Sequence, residues 1–384
     1  MSEWKKVKLG ELYEVHNGLS KGRQFFGTGF PFLTFSNVFN NWFLPEQLES
    51  LVQTTDKERE ACSIKAGDVF ITRTSETMDE LGMSSVALKD YPNATYNGFT
   101  KRLRPKTDRV FPRYMGYYLR TPKFRGQFMA FSSMTTRASL ANNDLLNMEV
   151  ELPPMDIQKN IATILSRYDS LIENYQKQIK LLEEAARRLY KEWFIDLRFP
   201  GHENTKIVDG VPKGWERKKV GDIAPIITGK KDANFGTPDG EYPFFTCSQE
   251  PIKAPSFSFD CAAVLLSGNG DFNVKLYRGK FEAYQRTYVL SPCCAQHLYL
   301  LYYTISANMT KLAAGSSGST IKFLTKGMID GINLNVPNDE ILETFNKKVE
   351  PIQSSRESLQ SQIRLLTEAR DRLLPKLMSG EITV

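Results

Sequence analysis

Gln178–Leu189 reads QIKLLEEAARRL, and Gln362–Leu373 reads QIRLLTEARDRL. The two stretches lie 184 residues apart; eight of the twelve positions are identical, and Lys180/Arg364 keeps its charge. Apolar residues at three- and four-residue spacing make each an amphipathic helix. A chain that carries one helix twice is a duplication, and the repeat extends outward from this point.

Toward the N-terminus the same shift of 184 aligns Ser132-Ser133-Met134-Thr135-Thr136 with Ser316-Ser317-Gly318-Ser319-Thr320. It also aligns Leu140 with Leu324, Pro153 with Pro337 and Ile157 with Ile341. Nearer the start the shift grows to 211, matching Trp4, Gly10 and Gly18 with Trp215, Gly221 and Gly229. Phe26-Gly27-Thr28 pairs with Phe235-Gly236-Thr237, and PFLT (31–34) with PFFT (243–246). Net deletions in the middle of the second half absorb the difference. Matching ends around a divergent middle point to one scaffold bearing different loops.

Both halves open on W-x-x-x-x-[LV]-G-[ED]-[LI] and continue in short strand-like runs cut by glycine and proline. FPFLTF (30–35), AGDVFIT (66–72) and AAVLLS (262–267) are the clearest strands. Helical stretches follow at Arg113–Leu119 and His297–Ile305, then strands at Met148–Leu152 and Ile332–Val336 that end at proline.

The long helices carry the best periodicity. The first has apolar residues from Ile157 through Ile161, Tyr168, Tyr175, Ile179, Leu182 and Leu189 to Trp193; the second has Ile352, Leu359, Ile363, Leu366, Leu373 and Leu377. A helix of roughly 35–40 residues spans about 50–60 Å, and its apolar stripe needs a partner. The sequence predicts that the two pair antiparallel as a coiled coil, with the modules at opposite ends in approximate two-fold symmetry. Pro351 predicts a short helix, a break or kink, and a long helix starting there. FPGHENTKIVDGVPKGW (199–215) reads as a linker without strand or helix.

At 384 residues and 43.8 kDa the chain is expected to form two domains. With 41% hydrophobic and 24% charged residues the composition is globular. No apolar run is long enough for a membrane span, and Met1–Gly10 lacks a signal-peptide core. Five cysteines and three histidines without a C-x-x-C pair argue against a zinc site; the thiols read as buried residues in a reducing cytosol. A net charge of +6 and a pI near 8.8 suit a nucleic-acid partner, as they suit many enzymes.

The order of these motifs, given twice, resembles a specificity subunit of a type I restriction–modification system over essentially the whole chain. The two tryptophan openings carry the resemblance, with ELPPMDIQKNIATIL (151–165), the repeated helix, the FPG-to-KGW linker and the LMSGEI ending (377–382). It implies an α+β fold: two similar α/β target recognition domains joined by two long antiparallel helices, with an internal pseudo-two-fold repeat. The boundaries that follow are 1–154 and 214–337 for the domains, 155–195 for the first spacer helix, 196–213 for the linker and 338–384 for the second helix and tail. The resemblance further implies a cytoplasmic, non-catalytic protein without cofactor. Its partners would be double-stranded DNA with a bipartite site, two methyltransferase subunits and restriction/translocase subunits.

The motifs agree with a non-catalytic chain. The nearest approach to a [DNS]-P-P-[YFW] base-flipping loop is Leu152-Pro153-Pro154-Met155, which lacks the polar acceptor and the aromatic. Gly27-Thr28-Gly29 reads as a loop whose glycine recurs as Gly236; no phosphate-binding G-x-x-x-x-G-K-[ST] occurs, and His16, His202 and His297 have no evident catalytic partners. The competing readings are a protein-binding scaffold and a self-sufficient DNA modification or restriction enzyme.

Residues expected to touch DNA are cations and small polar residues on loops. Lys21 and Arg23 follow Gly18, and Lys230 and Lys231 follow Gly229. Arg73 and Thr74 follow the strand DVFIT, where Arg73 suits a guanine edge; Asn269, after AVLLS, suits adenine. Thr136-Arg137 and Ser319 with Lys322 suit phosphate, and Arg102 and Arg286 complete the set.

Overall fold

The computed structural model describes residues 4–75, 81–131, 133–134, 138–316 and 322–384. The chain forms two compact units: Met1–Asn174 with Gln362–Val384, and Tyr175–Ser361. The cut falls within both long helices, Met155–Tyr190 and Asp339–Met378. Each unit therefore owns one head and a segment of each helix, whereas the sequence boundaries separate heads from helices.

The main sheet of the first unit is antiparallel, in the order Tyr13–Asn17, Thr100–Pro105, Val69–Thr72, Ser84–Val86. The second unit repeats it as Ile226–Thr228, Thr287–Leu290, Phe259–Ser267, Val274–Ala283, and continues into Tyr242–Phe245 and Ile252–Ala254. One parallel pairing also recurs: Phe32 and Leu33 lie against Thr95 and Tyr96, and Phe244 and Phe245 against Glu282 and Ala283.

The tryptophan opening has a local explanation. Lys5–Lys8 pairs antiparallel with Glu149–Leu152, and Glu216–Lys219 with Asn333–Val336, so each half closes its start onto the strand before its long helix. One helical turn follows. Its first and last apolar residues, Leu9 and Leu12 or Val220 and Ile223, are buried. The carboxylates Glu11 and Asp222 accept the main-chain N–H of Lys8 and Lys219, capping the turn. The glycine between them sits at a close approach: a Cβ on Gly10 would lie 3.1 Å from the Leu146 oxygen, and one on Gly221 2.0 Å from the Asp330 carboxylate.

Within the first unit the core joins Ile161, Ala162 and Leu165 of the first helix to Leu374, Leu377 and Met378 of the second, beneath Tyr114, Tyr117 and Tyr118 of the head. Arg370 reaches Asp169 at 2.7 Å. Within the second unit Ala186, Tyr190 and Trp193 share a core with Phe345 and Val349, and Arg356 approaches Glu183 at 3.7 Å. In both units residue numbers rise along one helix as they fall along the other, so each pairing is antiparallel. Leu189 and Ile352 pack against the second core, and Leu373 against the first. Tyr168, Ile363 and Leu366 in the first unit, and Tyr175, Ile179, Leu182 and Leu359 in the second, are half-buried.

Three expectations are corrected. Pro351 does not break its helix, which runs unbroken for 40 residues. The ring is exposed, while Phe345 and Val349 before it are buried and Gln353 and Arg356 after it bond to Tyr303 and Tyr302. Tertiary anchoring on both sides outweighs a helix penalty of about 3 kcal/mol. The linker is not wholly irregular: Ile207–Val208 and Val211–Pro212 form a hairpin. Its two-residue turn, Asp209 (φ 52°) and Gly210 (φ 73°), needs positive φ at both positions, which Asp-Gly supplies at little cost. Finally, of the five cysteines only Cys62 is buried; Cys293 and Cys294 are exposed.

Candidate nucleic-acid interface

In each unit the central strands end at the same set of loops, and five of the main-chain hydrogen bonds that hold them recur at corresponding residues. Asn97 N–H donates to the Leu33 oxygen as Tyr284 N–H does to Phe245, and Gly98 to Leu19 as Gln285 to Lys231. Thr100 N–H closes a tight turn onto Asn97, as Thr287 does onto Tyr284. Arg73 N–H then donates to Phe99 (3.0 Å) and Gly268 to Arg286 (2.8 Å). Leu140 N–H donates to Arg73 (3.1 Å) and Leu324 to Gly268 (2.8 Å). Gly18 and Gly229, which this frame offsets by one residue, each allow a close backbone approach. A Cβ on Gly18 would lie 2.2 Å from the Asn97 oxygen, and one on Gly229 1.8 Å from that of Ala283.

This frame fixes which residues are equivalent. Arg73 stands where Gly268 stands and Thr74 where Asn269 stands; Thr74 pairs with Ser139 as Asn269 pairs with Phe323. Arg73, Asn269, Arg286 and the Lys322–Phe323 segment belong to these loops. Lys231 occupies the place of Leu19, so the two basic pairs after Gly18 and Gly229 are not equivalent.

Arg23, Lys230, Arg286 and Lys322 are exposed, and among the described residues none is paired with a carboxylate. Lys231 lies over the Phe235 ring at 4.3 Å. Lys21 is engaged: its ammonium pairs with Glu58 at 2.8 Å and holds that carboxyl below the usual range. Thr136, Arg137 and Ser319 lie outside the described residues, as does the Thr74 side chain.

Arg102 requires correction. It is 2% exposed, and its guanidinium donates to the carbonyl of Ser63 at 2.6 Å and lies 5.5 Å from the Tyr96 ring. In its strand Leu103 faces one core and Arg102 the other, so strand alternation turns this cation inward. Its neighbour Lys101 is also buried and donates to Asn142. Burial first, and then the charge of Arg73, push the Lys101 ammonium below its ordinary pKa. Arg73 belongs to the same sheet face, and its buried Nε has no hydrogen-bond partner.

Sequence reasoning missed Phe99, the counterpart of Arg286. It is 55% exposed at the turn tip, and only the structural equivalence reveals it.

Two repeated heads with matched loop frames, each sharing a core with segments of two long helices, define a duplicated binding protein. The chain belongs to the type I restriction modification DNA specificity domain family, whose model matches residues 1–184 and 212–362. It is 26% identical over 416 aligned residues to the type I restriction enzyme MjaIX specificity subunit of Methanocaldococcus jannaschii, covering 100% of this chain and 94% of that protein. Over 177 residues it is 37% identical to the EcoDI specificity subunit of Escherichia coli, covering 45% of this chain and 40% of that one. Its fold is similar to the S subunit of a type I restriction–modification system from M. genitalium: TM-score 0.60, 14% identity, 97% of this chain and 96% of that one. Among the described residues no helix is long and apolar enough to cross a membrane.

Proposed function

We propose that this chain is the non-catalytic DNA-reading subunit of a type I restriction–modification complex, acting in the cytoplasm. Each unit reads one half of a bipartite double-stranded site. The helices set the distance between the half-sites and dock two methyltransferase subunits, with restriction/translocase subunits joining the restricting assembly. The observation that carries this reading is the matched loop frame: one hydrogen-bonded scaffold, used twice, presents Arg73 and Phe99 in one unit where Gly268 and Arg286 stand in the other. Such a frame keeps the geometry of approach and changes the chemistry read, as two unlike half-sites require. The exposed cations Arg23, Lys230 and Lys322 supply phosphate contacts on this reading.

Mapping methylated positions in a host that carries the chain with its methyltransferase tests this directly. A two-part motif with a fixed gap is the expected result. Inserting four residues near both Leu181 and Leu365 lengthens each helix by about 6 Å. The gap should then grow while both half-sites stay the same; an unchanged gap rejects the spacing role. The purified chain alone, given labelled S-adenosylmethionine and mixed duplex DNA, should transfer no methyl group. Transfer by the chain alone would establish an enzyme instead.

A further inference from the structure

The two equivalent turns, Asn97–Thr100 and Tyr284–Thr287, are each tied into the loop frame by several hydrogen bonds, and they end in opposite chemistries. In the first unit the Phe99 N–H donates to the Asn97 side-chain oxygen at 2.6 Å, and the Thr100 hydroxyl donates to the Asn97 carbonyl at 2.7 Å. The Phe99 carbonyl accepts from Arg73 N–H. The main chain at Phe99 is thus fixed on both sides while the ring stands in solvent, 55% exposed. In the second unit the Thr287 hydroxyl ties the turn to the Phe245 carbonyl at 3.0 Å, and the tip carries exposed Arg286.

We propose that these turns are homologous reading heads that divide the two half-sites by chemistry. Phe99 reads an apolar base surface, a thymine methyl or the face of an unstacked base, and Arg286 reads hydrogen-bond acceptors at a base edge. This rests on the DNA-reading role proposed above and assigns a specificity-determining side chain to each unit. An aromatic ring held in water on a rigid turn loses little conformational freedom on binding, which is the condition under which an anchor contributes most. The guanidinium fork suits the paired acceptors of guanine. Because the backbone frames match, exchanging the side chains need not move the loops.

The test uses the complex of the chain with its methyltransferase subunits, wild type and with Phe99→Ala, Phe99→Leu, Arg286→Ala and Arg286→Lys. Binding to the mapped site is titrated across salt, and the methylated motif is remapped in cells. Phe99→Ala should weaken binding roughly 10- to 100-fold, the scale of a lost aromatic–base contact, with the salt slope unchanged. Phe99→Leu should recover part of the loss. The motif should relax only in the half read by the first unit. Arg286→Ala should relax one position of the other half, and Arg286→Lys should not restore it. Loss below about twofold with both half-sites unchanged would overturn the assignment, as would a uniform loss on all sequences, which marks phosphate contact. A wild-type complex that neither binds DNA nor methylates a bipartite motif would instead reject the underlying DNA reading, and this inference with it.

Discussion

Arg370 shows how the second long helix is fastened within the first unit. Its side chain is 14% exposed, pairs with Asp169 of the first helix at 2.7 Å, and lies 5.1 Å from the ring of Trp42 in the head. Burial opposes its charge; the hydrogen bonds to Asp169 and Asp371 outweigh that and raise its pKa. A fully buried pair that loses one partner costs about 3–5 kcal/mol, and an exposed pair at most about 1. With Asp169 28% exposed and still bonded to the Tyr117 hydroxyl, Arg370→Met should cost about 2 kcal/mol. The cation over Trp42 contributes roughly 0.5–1 kcal/mol of that. Paired with Asp169→Asn in a double-mutant cycle, the coupling should be about 1–1.5 kcal/mol. The measurement is hydrogen exchange of residues 362–378 in the four proteins, because loosening of the helix end shows there first. Coupling below about 0.3 kcal/mol would mean that Arg370 and Asp169 are neighbours without energetic connection and that this pair does not fasten the helix.

Three further outcomes follow from individual placements. Pro351→Ala restores a helix N–H at an exposed position and should stabilise the second unit by about 1–2 kcal/mol in urea unfolding; destabilisation would show that the ring itself is needed. Arg102→Met removes one of the two donors to the Ser63 carbonyl, which keeps its bond from Arg104, so it should lower stability by about 1 kcal/mol and leave the salt slope of DNA binding unchanged. Arg278 and Tyr299 hydrogen-bond the Glu350 carboxylate and hold its pKa below the usual carboxylate value. The stabilisation is therefore present above the unfolded-state pKa and is lost as pH falls through the lowered one. Glu350→Gln should flatten that acid limb in pH-dependent melts, and an unchanged limb would exclude this carboxylate as its source.

The sequence alone determined what depends on neighbours along the chain. The duplication, the two long helices and the strands ending at proline follow from periodicity and turn chemistry, both of which act over a few residues. Asp209-Gly210 is a turn signal of the same local kind, but among polar residues the stretch reads as a plain linker, and the hairpin emerged only in the fold. The tertiary structure alone decided which cation meets water. Lys21, Arg73 and Arg102 are equally basic in the sequence. The fold pairs Lys21 with Glu58, leaves Arg73 at a loop with an unbonded nitrogen, and seals Arg102 against main-chain carbonyls. It also carried the helix through Pro351 and made Phe99 the counterpart of Arg286 in the repeat. These outcomes depend on desolvation and on the register between strands far apart in the chain, and no short window of sequence contains them.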